Sequence, residues 1–187
     1  MNDVFSRLPT LACHKIDMRH EDVLFRQGQP TSGLFRIISG RVTLRRHGEN
    51  GEVLTLHHAA AGGSFAEASI FSETYHCDAI CTAAGSVEKL DKVAVVKLME
   101  ADADFSLAFT RHLALQVQHY RAHIEMLSIR SAKERIMVAV QAGYLEASAM
   151  ELASRINLSH EACYRALTAL CNEGRMRRTG RGQYELA

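Results

Sequence analysis

The sequence predicts an α+β chain: an N-terminal β-roll, a long central helix and a C-terminal winged helix-turn-helix. Three observations carry that reading. Short apolar segments separated by glycines occupy residues 23–90. A helical apolar period then runs from Ala101 to Gln141 without a Gly or Pro. Finally, two capped segments of helical pattern flank a tight turn and lead into an arginine-rich end. The boundaries this implies are 1–100 for the roll, 101–131 for the long helix and 132–187 for the winged helix-turn-helix.

In the first region the apolar segments fall at residues 23–25, 34–38, 42–44, 53–56, 80–82 and 87–90. Short strands between Gly-containing turns are the signature of an all-β roll or barrel. Residues 45–52 read as a hairpin loop, because Asn50-Gly51 supplies positive-φ residues between two strand patterns.

From Val93 onward the period lengthens to that of a helix. Leu113, Val117, Tyr120, Ile124 and Leu127 recur at spacings of 4, 3, 4 and 3, an a/d seam. The region holds one very long helix or two in series, with a break expected near Ser131, where Ser131-Ala132-Lys133-Glu134 forms a capping box. Two readings of the seam stand side by side. It joins two copies of the chain, or it packs one amphipathic helix on its own domain.

After Gly143, Ser148-Ala149-Met150-Glu151 is a second capping box that opens a helix through Ile156. Asn157-Leu158-Ser159 follows as a turn, Asn being tolerant of the left-handed conformation. Ser159 caps a further helix from His160 to about Cys171, which ends at Asn172-Glu173-Gly174. Two short helices about such a turn make a helix-turn-helix, and residues 177–184 resemble a two-stranded wing.

Glu161 and Arg165 are four apart and share a helix face. Glu can accept from cytosine N4, and Arg can bind guanine O6 and N7 with both arms. His160 and Tyr164 flank that face, while Ala162, Cys163, Ala166, Leu167 and Leu170 supply the apolar face opposite. The plain alternative is a solvent-exposed helix pair worth a few tenths of a kcal/mol. Charge segregation favours DNA. Arg175, Arg177, Arg178 and Arg181 lie between Gly174 and Gly182 with no acid among them, a composition suited to phosphates.

Whole-chain composition alone would hide this. The 187 residues carry 22 Lys+Arg against 21 Asp+Glu, so near-neutrality is an average over a mixed-charge body and a basic end. Five cysteines, an odd number without small-scaffold spacing, fit free thiols in a reducing cytoplasm. Residues 1–7 lack the basic-then-apolar pattern of an export signal, and no apolar run is long enough to span a bilayer, so no membrane partner is expected. An enzyme would need a nucleophile and base or paired carboxylates. Glu67 and His76 could be offered, but there is no nucleophile elbow, P-loop or zinc-protease spacing.

Across essentially its whole length the chain resembles the CRP/FNR family of bacterial transcription regulators. The residues that carry the resemblance are Gln27-Gly28, Gly40-Arg41-Val42, Gly63-Ser64-Phe65-Ala66-Glu67 and Ser159-His160-Glu161-Ala162-Cys163-Tyr164-Arg165. The last is similar to the family's Ser/Thr-x-Glu-x-x-x-Arg recognition helix. The resemblance implies a cyclic-nucleotide-binding-like roll, a homodimer joined through the long helix, and a two-fold symmetric operator with GTGA-type half-sites read by Glu161 and Arg165. It further implies contact with RNA polymerase. Ser159, His160, Tyr164, Arg177, Arg178 and Arg181 complete the expected DNA contacts. The linker from Gln141 to Ser148 is shorter than usual, and the hairpin often found there is missing.

The effector site departs from the family pattern. Cyclic-nucleotide binders carry Gly-Glu, then an Arg-Ser pair about ten residues later that holds the cyclic phosphate. Here Ala66 stands for the Gly, Glu67 remains, and Cys77-Asp78 stand where Arg-Ser would be. Losing the cation removes a charge-assisted contact, and Asp78 adds like-charge repulsion. The expected effector pocket is therefore Glu67, Cys77 and Asp78, and cyclic AMP is not its expected ligand.

His76, Cys77 and Cys81 suggest a metal ion or thiol redox signal instead, ahead of a small organic ligand. In a strand, however, Cys77 and Cys81 would lie roughly 13 Å apart and could not chelate one ion, and His76 would point away from Cys77. The competing reading is that both thiols are small buried hydrophobes. Cys163 is expected in the helix-turn-helix core, and Cys171 on the surface without a role. A second functional reading is a ligand-sensing interaction module without DNA binding, which Glu161, Arg165 and the basic wing oppose.

Overall fold

The structure is a computed structural model that describes residues 4–48, 51–145 and 148–187. The chain divides into two compact units, Met1–Leu113 and Ala114–Ala187.

In the first unit, short 3₁₀ turns at Val4–Arg7 and Thr10–Ala12 lead into β1 (Cys13–Met18), β2 (Val23–Phe25), β3 (Gly33–His47), β4 (Val53–Ala60), β5 (Ser64–Phe65) and β6 (Asp78–Asp91). All pairings are antiparallel. The order is β1-β6-β3-β4, with β2 added to β6 and β5 to β3. The segments expected as separate strands at 34–38 and 42–44 are one strand, β3; those at 80–82 and 87–90 are one strand, β6.

The reason is a bulge where the sequence suggests a turn. The β3–β6 register slips between Ile37 and Val42. Gly40 sits there at φ +84°, and a Cβ on it would come within 2.5 Å of the Ala83 carbonyl oxygen. A Cβ on Gly85 would meet the Ser39 carbonyl oxygen at 2.2 Å. Only glycine lets the two backbones approach that closely while the strands bend. β1, which the sequence reading omits, is a polar strand paired with β6 alone, so its alternation is weak. The Asn50 of the expected hairpin lies outside the described residues; β3 and β4 pair from His47↔Val53 inward.

An aromatic group fills the roll. Phe25 stacks on Tyr75 at a centroid distance of 3.7 Å and Phe35 on Phe65 at 5.1 Å. The Tyr75 hydroxyl donates to the Gly33 carbonyl at 2.8 Å, which satisfies its polar tip in the interior. Asp91 caps α1 (Lys92–Ala101) by accepting from the Ala94 N–H at 2.9 Å. Asp102 accepts from the Phe105 N–H at 2.9 Å at the start of α2 (Ala103–Ser128) and pairs with Arg7 at 2.8 Å. The backbone N–H of Phe105, then Arg7, holds its carboxyl below the usual range. Phe105 and Phe109 are fully buried in a second cluster with Phe5, Leu34, Ile70 and Leu90.

In the second unit, α2 ends at Ser128 and α3 (Ala132–Gln141) starts from the Ser131 cap, close to the expected break. α4 (Ala149–Arg155), α5 (His160–Asn172), β7 (Met176–Gly180) and β8 (Gln183–Leu186) follow. Ile136, Leu152, Ile156, Leu167 and Leu170 are fully buried together, with Met126 and Leu127 of α2 packed against them. Between α3 and α4 no strand occurs among the described residues.

Candidate nucleic-acid interface and effector site

The orientation of α5 follows from its caps and its apolar face. Ser148 accepts from the Glu151 N–H at 3.2 Å and starts α4. Asn157 takes φ 51°, the left-handed turn residue, and Ser159 accepts from the Ala162 N–H at 3.1 Å to start α5. Cys163, Ala166, Leu167 and Leu170 are buried, which turns His160, Glu161, Tyr164 and Arg165 outward. Glu161 and Arg165 are 3.6 Å apart with side chains 84% and 75% exposed. A pair so solvated costs little to separate, so both groups can be offered to a base edge.

The expected wing is the β7–β8 hairpin, anchored by buried Met176. Its strands tie back to α4, because the Ala149 N–H donates to the Gly182 carbonyl at 2.9 Å. Arg175, Arg178 and Arg181 are exposed, the Arg178 Nε donating to the Gly180 carbonyl at 3.0 Å. Arg177 differs. Its Nε donates to Glu185 Oε1 at 2.8 Å and its Nη2 contacts the same oxygen. The sequence count of arginines without acids misses this pair, since Glu185 reaches Arg177 only across the hairpin.

A further residue escapes sequence reading. Arg135 on α3 donates from Nε to the Ile129 carbonyl at 2.9 Å and from Nη1 to the Ile156 carbonyl at 3.1 Å, with the Asn157 carbonyl at 3.4 Å. One guanidinium therefore serves the carbonyls at the end of α4 and those before α3, groups that helix ends leave without partners. Nothing in the local sequence marks it, since it follows two other charged residues, Lys133 and Glu134.

The effector residues fall into two separate networks. Ala66 adopts the left-handed conformation (φ 69°, ψ 10°) where a glycine would rest without strain, and it presents Glu67 to the interior. Glu67 is 5% exposed. Its Oε1 accepts from the Ser64 hydroxyl and lies 3.2 Å from His112 Nε2 on α2, which is itself 3.0 Å from the same hydroxyl. Phe5 meets the His112 ring edge-on at 5.6 Å. Asp78 faces other partners. Its Oδ1 accepts from the Gln27 N–H at 2.7 Å, and its Oδ2 lies 3.3 Å from His47 Nε2 and 3.8 Å from Arg26 Nη1. The partners that hold Asp78 are thus different from those that hold Glu67.

Cys77 and Cys81 belong to the aromatic core of the roll. Burial pushes both thiols up; for Cys77 Arg46 pulls down and Asp78 up, and for Cys81 a backbone hydrogen bond from Ala83 pulls down and Asp22 up. His76 instead bonds Ser72 at 2.9 Å on the surface. Among the described residues no three His, Cys, Asp or Glu side chains converge as metal ligands would. Cys163 is buried as expected, its thiol raised to about 11 by burial, and Cys171 is half-buried.

Of the five seam residues, Leu113 packs against the Phe105 cluster and Leu127 against the Ile136 cluster. Val117, Tyr120 and Ile124 between them are 47%, 41% and 65% exposed. No described helix is long and apolar enough to cross a membrane.

Residues 15–102 match the family model of the cyclic nucleotide-binding domain. No curated protein sequence matches the chain. Among solved structures, FixK2 from Bradyrhizobium japonicum is similar at 17% identity and a TM-score of 0.79, over 93% of this chain and 92% of that one. The c-di-GMP-responsive global regulator CLP of Xanthomonas campestris gives 20% identity and 0.70, over 94% of each chain. A CRP/FNR-family transcriptional regulator from Thermus thermophilus gives 24% and 0.69, over 93% of each.

Proposed function

We propose, from the match of residues 15–102 to the cyclic nucleotide-binding domain and from a fold similar to that of CRP/FNR-family transcription regulators, that the chain is a cytoplasmic, dimeric, sequence-specific DNA-binding regulator. The observation that carries this is the outward face of α5. His160, Glu161, Tyr164 and Arg165 stand exposed over a buried apolar face, beside a hairpin bearing Arg178 and Arg181. Glu161 and Arg165 read base edges in the major groove; Ser159, His160 and Tyr164 approach the backbone or neighbouring bases; Arg177, Arg178 and Arg181 meet phosphates. Arg177 contributes least, because Glu185 already holds it.

The dimer forms through Val117, Tyr120 and Ile124, with Leu113 and Leu127 at the ends of the seam. It sets two recognition helices against half-sites about 34 Å apart, and RNA polymerase is the further partner. A signal in the roll acts by changing that spacing.

The signal is not cyclic AMP. The arginine that would hold a cyclic phosphate is absent where Cys77 stands, and Glu67 is taken up by Ser64 and His112. A redox signal at Cys77 or Cys81 requires the roll to open first, because buried thiols with raised pKa hold little thiolate. The test of the regulator reading is DNA binding that weakens as salt rises and loses sequence preference in Arg165→Ala. Salt-independent binding, or none, would leave the interaction-module reading in its place.

A further inference from the structure

The second unit holds a titratable cluster to which the proposed DNA contacts assign no role. His123 lies on α2, and its ring faces that of Tyr144 at a centroid distance of 5.9 Å and 53°. Arg155, the last residue of α4, places its guanidinium carbon 4.7 Å from the centroid of the same Tyr144 ring. Its Nη1 lies 3.5 Å from the Tyr144 carbonyl oxygen. One aromatic ring thus joins a histidine of the long helix to an arginine of the first helix of the helix-turn-helix.

The chemistry of that ring makes the join depend on charge. A guanidinium over a tyrosine face is attracted by the ring quadrupole. A neutral imidazole packs beside it without conflict. A protonated one brings a second cation to a half-buried place already facing Arg155, the one charged group among the described residues that acts on His123.

We propose that His123, Tyr144 and Arg155 form a proton-sensitive joint: neutral His123 lets α4 dock on the Tyr144 ring, and protonation of His123 loosens α4. Among the described residues, Arg155 from α4 and Tyr144 from the segment after α3 are the titratable or charged groups that neighbouring elements bring to His123; on its own helix, exposed His119 lies one turn before it. Burial first, and Arg155 second, depress the pKa of His123. The native state therefore binds its proton later than the unfolded state as pH falls. Stability from the joint is whole above the ordinary His value and is lost as pH falls through the two values.

The test is a titration of the histidine ring C–H signals of the full chain by NMR, with His123 assigned from His123→Gln, run beside hydrogen exchange of the α4 amides corrected for intrinsic pH dependence. The joint predicts a His123 midpoint below the ordinary value of about 6.5. It also predicts that α4 protection falls on acidification, by up to about tenfold for each pH unit that separates the two values. Arg155→Met moves the midpoint up, and His123→Phe keeps the ring contact while making α4 protection insensitive to pH. A His123 midpoint at or above the ordinary value, or α4 protection that falls equally in His123→Phe, would overturn the proposal. None of these readings involves DNA, so their failure leaves the proposed function untouched.

Discussion

His112 of α2 places its Nε2 3.2 Å from Oε1 of buried Glu67, so the carboxylate that resemblance assigns to an effector is held from within the first unit. The Ser64 hydroxyl bonds both partners. A ligand hydroxyl aimed at Oε1 would compete with both contacts.

That arrangement predicts the response to nucleotides. Cyclic AMP and cyclic GMP leave the thermal midpoint of the protein unchanged at millimolar concentration, whereas saturable stabilisation at micromolar concentration would contradict the account. His112→Leu removes one partner of a buried carboxylate and lowers stability by about 1–3 kcal/mol, read as a shift in the urea midpoint at constant slope. A midpoint unchanged within error would show that the pair contributes nothing.

Arg135 predicts a larger and different effect. Arg135→Met withdraws the donor shared by the Ile129, Ile156 and Asn157 carbonyls and costs about 2–4 kcal/mol. Arg135→Lys recovers only part, since an ammonium lacks the planar fork that spans two carbonyl groups. Equal stability of the two variants and the native chain in urea would sink the idea of a clamp.

For the seam, Ile124→Asp puts a charge at the most exposed of its apolar residues. If the face joins two copies, the dimer dissociation constant rises by roughly thirtyfold or more, as truncation of a central anchor of about 2 kcal/mol implies. Sedimentation at several concentrations reads this directly. A native chain that is monomeric throughout would instead favour the packing of α2 within its own chain.

Alkaline pH should weaken the second unit through Cys163. Burial raises its pKa to about 11, above the ordinary value of 9.0, so between these values the unfolded state loses the proton first. The native state is then penalised as pH rises, and the penalty is absent below the lower value. Comparing urea midpoints of the native chain and Cys163→Ala at pH 8 and pH 10.5 isolates it. The difference between the two proteins changes with pH in this account, and a constant difference would refute it.

Local patterns carried most of the architecture. Capping boxes at Ser131 and Ser148, the left-handed Asn157 and the Ser159 cap are each written in four residues or fewer, and the helices start where those residues say. What escaped is long-range. Gly40 and Gly85 look like turn punctuation until β3 and β6 are paired, when they become the close approach of a bulge. Glu185 against Arg177, Arg135 under two turns and His112 on Glu67 are partners 6 to 45 residues apart, with no periodicity to announce them. The same distance effect divided the effector residues: Glu67 and Asp78 are close in sequence but bonded to different elements.

The central claim rests on α5, and one measurement tests it most directly. Fluorescence anisotropy compares a duplex carrying two inverted GTGA-type half-sites, centred one helical turn apart, with a scrambled duplex of equal length and salt. The account predicts a clear preference of the native chain for the palindrome. It predicts that Arg165→Ala loses about 1–3 kcal/mol of that preference per half-site while still binding both duplexes through the wing. Equal affinity of the native chain for the two duplexes, or an undiminished preference in Arg165→Ala, would contradict it.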